Sequence, residues 1–158
     1  MNTLSRHFVS HWMPVIAWML FIFGASTDLG SAANSGRILI PVLRWFNPNV
    51  SAAAIETAQL IVRKGAHLTE YAIFALLLLR AFRSHARGIF VRQAALVLFF
   101  AALYAASDEF HQSFVATRTP SPYDVMIDTC GALLGLVAYR VLFARGNDRP
   151  PQGIVAEA

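Results

Sequence analysis

The chain has 158 residues, 56% of them hydrophobic and only 14% charged, with a mean hydropathy of +0.51 and a formal net charge of +4. Soluble domains carry roughly 25% charged residues, so this composition excludes an ordinary soluble domain and describes one integral membrane domain. The basic residues are dispersed between apolar segments; they read as topology signals, not as a nucleic-acid surface.

Residues 1–7 form a short polar lead with Arg6 and His7. The apolar segment 8–26 follows, long enough for a first span if His11 lies near the interface, with Pro14 expected in its first turn. The small residues that close it, Gly24, Ala25 and Ser26, also fit the end of a signal peptide. Residues 28–62 read as a long first loop. Within it, residues 36–46 are apolar, carry Arg37 and Arg44 near their ends and Pro41 inside, and are too short to span, which predicts an interfacial or re-entrant segment. Asn47, Pro48 and Asn49 predict a turn. A helical pattern then starts at Ser51 and continues to about residue 82. Roughly 30 residues at 1.5 Å each exceed the ~30 Å hydrocarbon core, so either its first turns project beyond the membrane or Gly65 breaks it.

Arg80, Arg83, His85, Arg87 and Arg92 crowd a short second loop. The third span is expected over 91–106, ending in a polar segment with Asp108, Glu109 and Gln112. A loop over 113–123 contains Arg118, and the fourth span is expected over 124–143. Its Gly131 and Gly135 have the spacing that lets helix backbones approach closely. Cys130 is expected as a small core residue. Residues 145–158 are charged, bear Pro and Gly, and predict a disordered tail behind a membrane domain at 1–144.

A four-span arrangement places eight basic residues on one side (Arg6, Arg80, Arg83, Arg87, Arg92, Arg140, Arg145, Arg149) and five on the other (Arg37, Arg44, Arg63, Lys64, Arg118). That bias predicts both termini in the cytoplasm and a multi-pass protein of the cytoplasmic membrane. Because successive spans alternate in direction, Lys64, His67, Glu70, Asp108, Glu109, Gln112, Asp124 and Asp128 then converge at one depth, on the extracytoplasmic face, with Arg118 in the loop between. Ionisable groups at membrane depth are expensive and normally face the bundle interior, where they find partners.

Several roles fit that cluster. His67 and Glu70, with Asp108 and Glu109, offer imidazole and carboxylate ligands for a divalent metal. His67 or Glu109 could move a proton in a partly dry pocket. Lys64, Arg63 and Arg118 could grip a phosphate or carboxylate headgroup. The plainest role is an ion-paired latch between spans two, three and four. Tyr71 and Trp45 read as interfacial aromatics, and His111 as an interfacial residue on a different helix face.

The ordered set Lys64-x-x-His67-x-x-Glu70-Tyr71, Asp108-Glu109-x-x-Gln112, Arg118, Asp124, Gly131 and Gly135 resembles the VanZ-like family of small bacterial membrane proteins, over about residues 15–143. Asp128 stands where that family often has Asn, and Thr117 where it often has Gly. The family is named for a protein associated with low-level resistance to the glycopeptide teicoplanin, so the resemblance implies a polytopic cytoplasmic-membrane protein with a polar outer face and a link to the cell envelope; it supplies no reaction. Two functions are carried forward. One is a module that binds an anionic or lipid-linked envelope component. The other is a membrane-embedded hydrolase or transferase, metal-dependent or not, centred on His67, Glu70, Asp108 and Glu109. A proton-coupled transporter ranks third, since four short spans would have to oligomerise to build a pathway.

Overall fold

The computed structural model describes residues 3–27, 32–85, 90–116 and 121–143. Five helices follow in order: α1 (Thr3–Ala25), α2 (Ala32–Phe46), α3 (Ala52–His85), α4 (Phe90–Gln112) and α5 (Pro122–Phe143). No strand occurs among the described residues. Helices α1, α3, α4 and α5 are long and apolar enough to cross a membrane. The 15-residue α2 is too short to do so. The expected tail at 145–158 and Arg118 lie outside the described residues.

Local chemistry sets the element limits. Ser51 caps α3, its Oγ accepting from the amide of Ala54 (3.2 Å). Before it, the carbonyl of Asn47 accepts from the amide of Val50 (3.1 Å), and the Asn47 side chain accepts from the amide of Asn49, closing the expected turn. Ser121, Pro122 and Asp124 start α5 in the order that favours a helix N-terminus: a hydroxyl cap, a preset φ and an early carboxylate.

One sequence expectation about the helices needs correction, and one alternative is decided. Pro14 is not in a first turn but inside α1, which begins at Thr3. A proline there has no N–H for the carbonyl of Ser10, and Arg80 Nη2 donates to that carbonyl instead (3.3 Å). Nor does Gly65 break α3, which continues through it for 34 residues, about 51 Å at 1.5 Å per residue. Helix α3 is the hub. It packs most extensively on α5, and also against α1, α4 and α2, while α4 packs on α5.

The burial pattern is that of a membrane bundle. The outer surface carries large apolar side chains such as Leu20, Phe99, Leu134 and Leu142, whereas Asp108, Glu109, Asp124 and Asp128 are buried. Val15 and Ile22 place α1 in the apolar core beside Phe74, Leu78 and Leu79, so α1 is a wall of the bundle. Gly131 and Gly135 are where α5 meets α3. A Cβ added at Gly131 would lie 2.8 Å from Leu68 Cα, and one at Gly135 would lie 2.6 Å from the Ala72 carbonyl oxygen. Cys130 is exposed, against the expectation of a core position. The buried face of α5 is built from Asp124, Asp128, Gly131, Ala132, Gly135 and Leu136, and Cys130 falls beside that stripe.

Candidate functional site

The two ends of the bundle differ in chemistry. At one end arginines satisfy themselves on aromatic rings and carbonyls. Arg83 donates to Tyr139 Oη (2.7 Å) and its guanidinium lies 5.5 Å from that ring's centre, while Arg140 lies over Phe90. At the other end α1, α3, α4 and α5 bring the acidic and imidazole groups together.

Helix α5 contributes Asp124 and Asp128, one turn apart on its buried face. Each is met by a base from α3, itself spaced for one helix face. Lys64 Nζ pairs with Asp124 Oδ1. His67 Nδ1 lies 3.1 Å from Asp128 Oδ1, with both residues buried. The close glycine-lined approach of α3 and α5 is what lets these short carboxylates reach across. Helix α4 contributes Asp108, Glu109 and Gln112. Gln112 Nε2 donates to Asp108 Oδ2 (3.1 Å) one turn away. Ser26, just past α1, donates to the same oxygen at 2.6 Å. Glu109 Oε2 accepts from the backbone amide of Ser121 (2.9 Å), which ties α4 to the start of α5.

These residues form one electrostatic unit. His67 feels the charges of Asp128, Glu70 and Asp108; Lys64 feels those of Glu109 and Asp128 as well as the adjacent Arg63; and Tyr71 lies in the field of Asp128, Asp108 and Glu70. The half-buried Glu70 borders the unit, and its carbonyl oxygen accepts from Trp18 Nε1 (2.9 Å), fastening α1. Of the residues singled out from sequence, Lys64, His67, Asp108, Glu109, Gln112, Asp124 and Asp128 converge at one end of the bundle, and Glu70 stands at its edge.

Four buried oxygens in this unit lack a hydrogen-bond partner among the described residues: Tyr71 Oη, Asp108 Oδ1, Glu109 Oε1 and Asp128 Oδ2. Tyr71 is a correction. It was expected at the interface and is instead fully buried, edge-on to Phe74 and 6.4 Å from the Tyr104 ring. Its position one turn after His67 puts it on the inward face. Trp45 is 79% exposed on α2, in line with an interfacial placement. His111 stacks on Phe23, ring centres 4.1 Å apart.

Sequence reasoning missed Ser26 and Ser121. Both are small hydroxyl residues at the same end as the carboxylates, and that shared depth was the available signal. As for a metal, no group of three or more His, Cys, Asp or Glu side chains among the described residues is arranged to hold one. His67, Asp108 and Glu109 are each turned to a different protein partner.

The fold and the buried polar centre define a polytopic α-helical membrane protein with a charged site at one end. The chain belongs to the VanZ/LLP1 family, whose model matches residues 11–143. No curated protein and no solved structure gives a significant match.

Proposed function

We propose that this VanZ/LLP1-family chain is a binding module of the bacterial cytoplasmic membrane that takes the polar head of a lipid-linked or headgroup-bearing envelope component. The observation that carries this reading is the set of four buried oxygens, on Tyr71, Asp108, Glu109 and Asp128, that have no hydrogen-bond partner among the described residues. Leaving a buried acceptor unpaired costs about 1–3 kcal/mol. A ligand that brings hydroxyl, amide or ammonium donors would recover that cost four times over at one place. Lys64 and Arg63 stand nearby; an anionic part of the same headgroup would meet them. With the arginine-bearing end in the cytoplasm, the site lies on the outer side, where envelope precursors and glycopeptides are found.

The test is lipid capture. Purified protein is incubated with a total bacterial lipid extract, and bound species are quantified by mass spectrometry for wild type, Lys64→Ala and Tyr71→Phe. Enrichment of a headgroup-bearing lipid by wild type, lost in both variants with helix content unchanged, is the expected result. Equal recovery from all three proteins refutes the assignment. A teicoplanin susceptibility assay on cells lacking the chain tests the envelope link separately.

A second reading rests on one contact. Asp128 holds His67 through Nδ1, the arrangement that orients an imidazole for general base work. Under it the protein is a hydrolase or transferase, and Glu109→Gln would abolish turnover of a captured lipid while binding persists. The metal-dependent version has no donor set to support it among the described residues.

A further inference from the structure

A cleft of about 490 Å³ runs between α1, α3 and α4, within the ~300–1,000 Å³ range of small-molecule sites. Its walls are apolar: Ile16 and Met19 from α1, Phe74 and Leu78 from α3, Phe100 and Leu103 from α4. Ile16 is 47% and Leu103 56% exposed. The cleft therefore opens sideways through the apolar perimeter, where a bilayer would lie, and not toward water.

Apart from the indole of Trp12, the polar side chains of the lining, Tyr104 and Ser107, stand at one end. Tyr104 donates to the Met19 carbonyl there (2.6 Å), and Ser107 stands beside it. That end abuts the polar centre. The Tyr104 ring is 5.2 Å from Phe74 and 6.4 Å from Tyr71, and Ser107 immediately precedes Asp108. The opposite end is closed by Trp12 and Phe82. From His67 in the polar centre to Phe82 is fifteen residues of helix, about 22 Å, which lies within the ~30 Å hydrocarbon core.

We infer that this cleft seats one hydrocarbon chain of the lipid whose head occupies the polar centre; the assignment rests on the binding reading above and names the ligand class, an amphiphile with an acyl or prenyl tail. Water is a poor occupant of so apolar a space. A partner helix is ~10–12 Å across and does not fit between helices that already bridge through Tyr104 and Met19. A slim chain fits, and the donor-poor, acceptor-rich centre next to the cleft's polar end complements a head that carries donors.

The experiment measures binding of two tritiated probes to the full chain in detergent: dioleoyl phosphatidylethanolamine, with acyl tails and an ammonium head, and a polyprenyl phosphate. Leu103→Trp and Ile16→Trp fill the cleft from opposite walls, and Asp128→Asn alters the head site. Saturable binding of at least one probe, near one per chain, should weaken tenfold or more in each of the three variants, and the probe that binds distinguishes an acyl from a prenyl tail. Wild-type affinity in both tryptophan variants overturns the cleft assignment, and a loss confined to Asp128→Asn would then leave the head-site reading standing. Loss in the tryptophan variants alone keeps a lipid cleft but removes its coupling to the polar centre. No saturable binding of either probe overturns the inference as a whole.

Discussion

The seam between α3 and α5 and the space between α1 and α4 are opposite solutions to joining helices in a membrane. Along the first, glycines let backbones touch, and two α3 bases meet two α5 carboxylates across the gap. Along the second, the backbones stand apart and only side chains span the distance: Tyr104 to the Met19 carbonyl, Ser26 to Asp108, Phe23 onto His111. The difference teaches where the molecule is committed to itself and where it keeps room for something else. The seam fixes the carboxylates in place; the gap leaves an apolar wall open beside them.

The comparison breaks most severely if the seam loses its buried pair. Asp128→Ala leaves His67 without its partner in a dry site and should cost about 3 kcal/mol or more, read as a lowered midpoint in denaturing detergent. Adding His67→Ala should return part of that loss, because the two residues act as one unit. Gly131→Ala comes next. The new methyl must push against the Leu68 backbone, which cannot rotate away, and about 1–3 kcal/mol should be lost, measured by the same midpoint. Leu103→Trp, on the open side, should leave the melting midpoint unchanged while displacing a bound tail; a marked drop in stability would mean that the gap is part of the core. Tyr71→Phe removes a hydroxyl without a hydrogen-bond partner among the described residues, so stability should be neutral or slightly higher while lipid capture falls. The smallest effect is at Cys130→Ser, outside the packed face of α5, expected within about 0.5 kcal/mol by the same midpoint.

Much of the seam was legible in the sequence because it is written in period and charge. Lys64 and His67 on one helix and Asp124 and Asp128 on the next repeat at helical spacing, and alternating span direction brings them to one depth. Glycine spacing named the contact face of α5. The gap was not legible. Its walls are Ile, Met, Phe and Leu, the same residues that cover any lipid-facing surface, and composition cannot tell a wall from an outer face. Tyr71 was misplaced for a related reason: an aromatic near a span's end fits the interfacial belt as well as the core, and only the direction of the neighbouring helices decides. Ser26 was hidden because a small hydroxyl carries no charge signal. Pro14 was misplaced because a distant arginine, not the local helix, satisfies the carbonyl it strands.

Helix α3 is unbroken for 34 residues, and its first turns carry α2 folded back on it through the turn at Asn47–Asn49, with Gly36 set against Gln59. From Lys64 to the end of the helix is about 33 Å, enough for the hydrocarbon core, which leaves about 18 Å of the same rod beyond it. A stiff rod of that kind is a handle. Because α3 does not break at Gly65, α2 and the polar centre at His67 and Tyr71 are carried on one continuous helix.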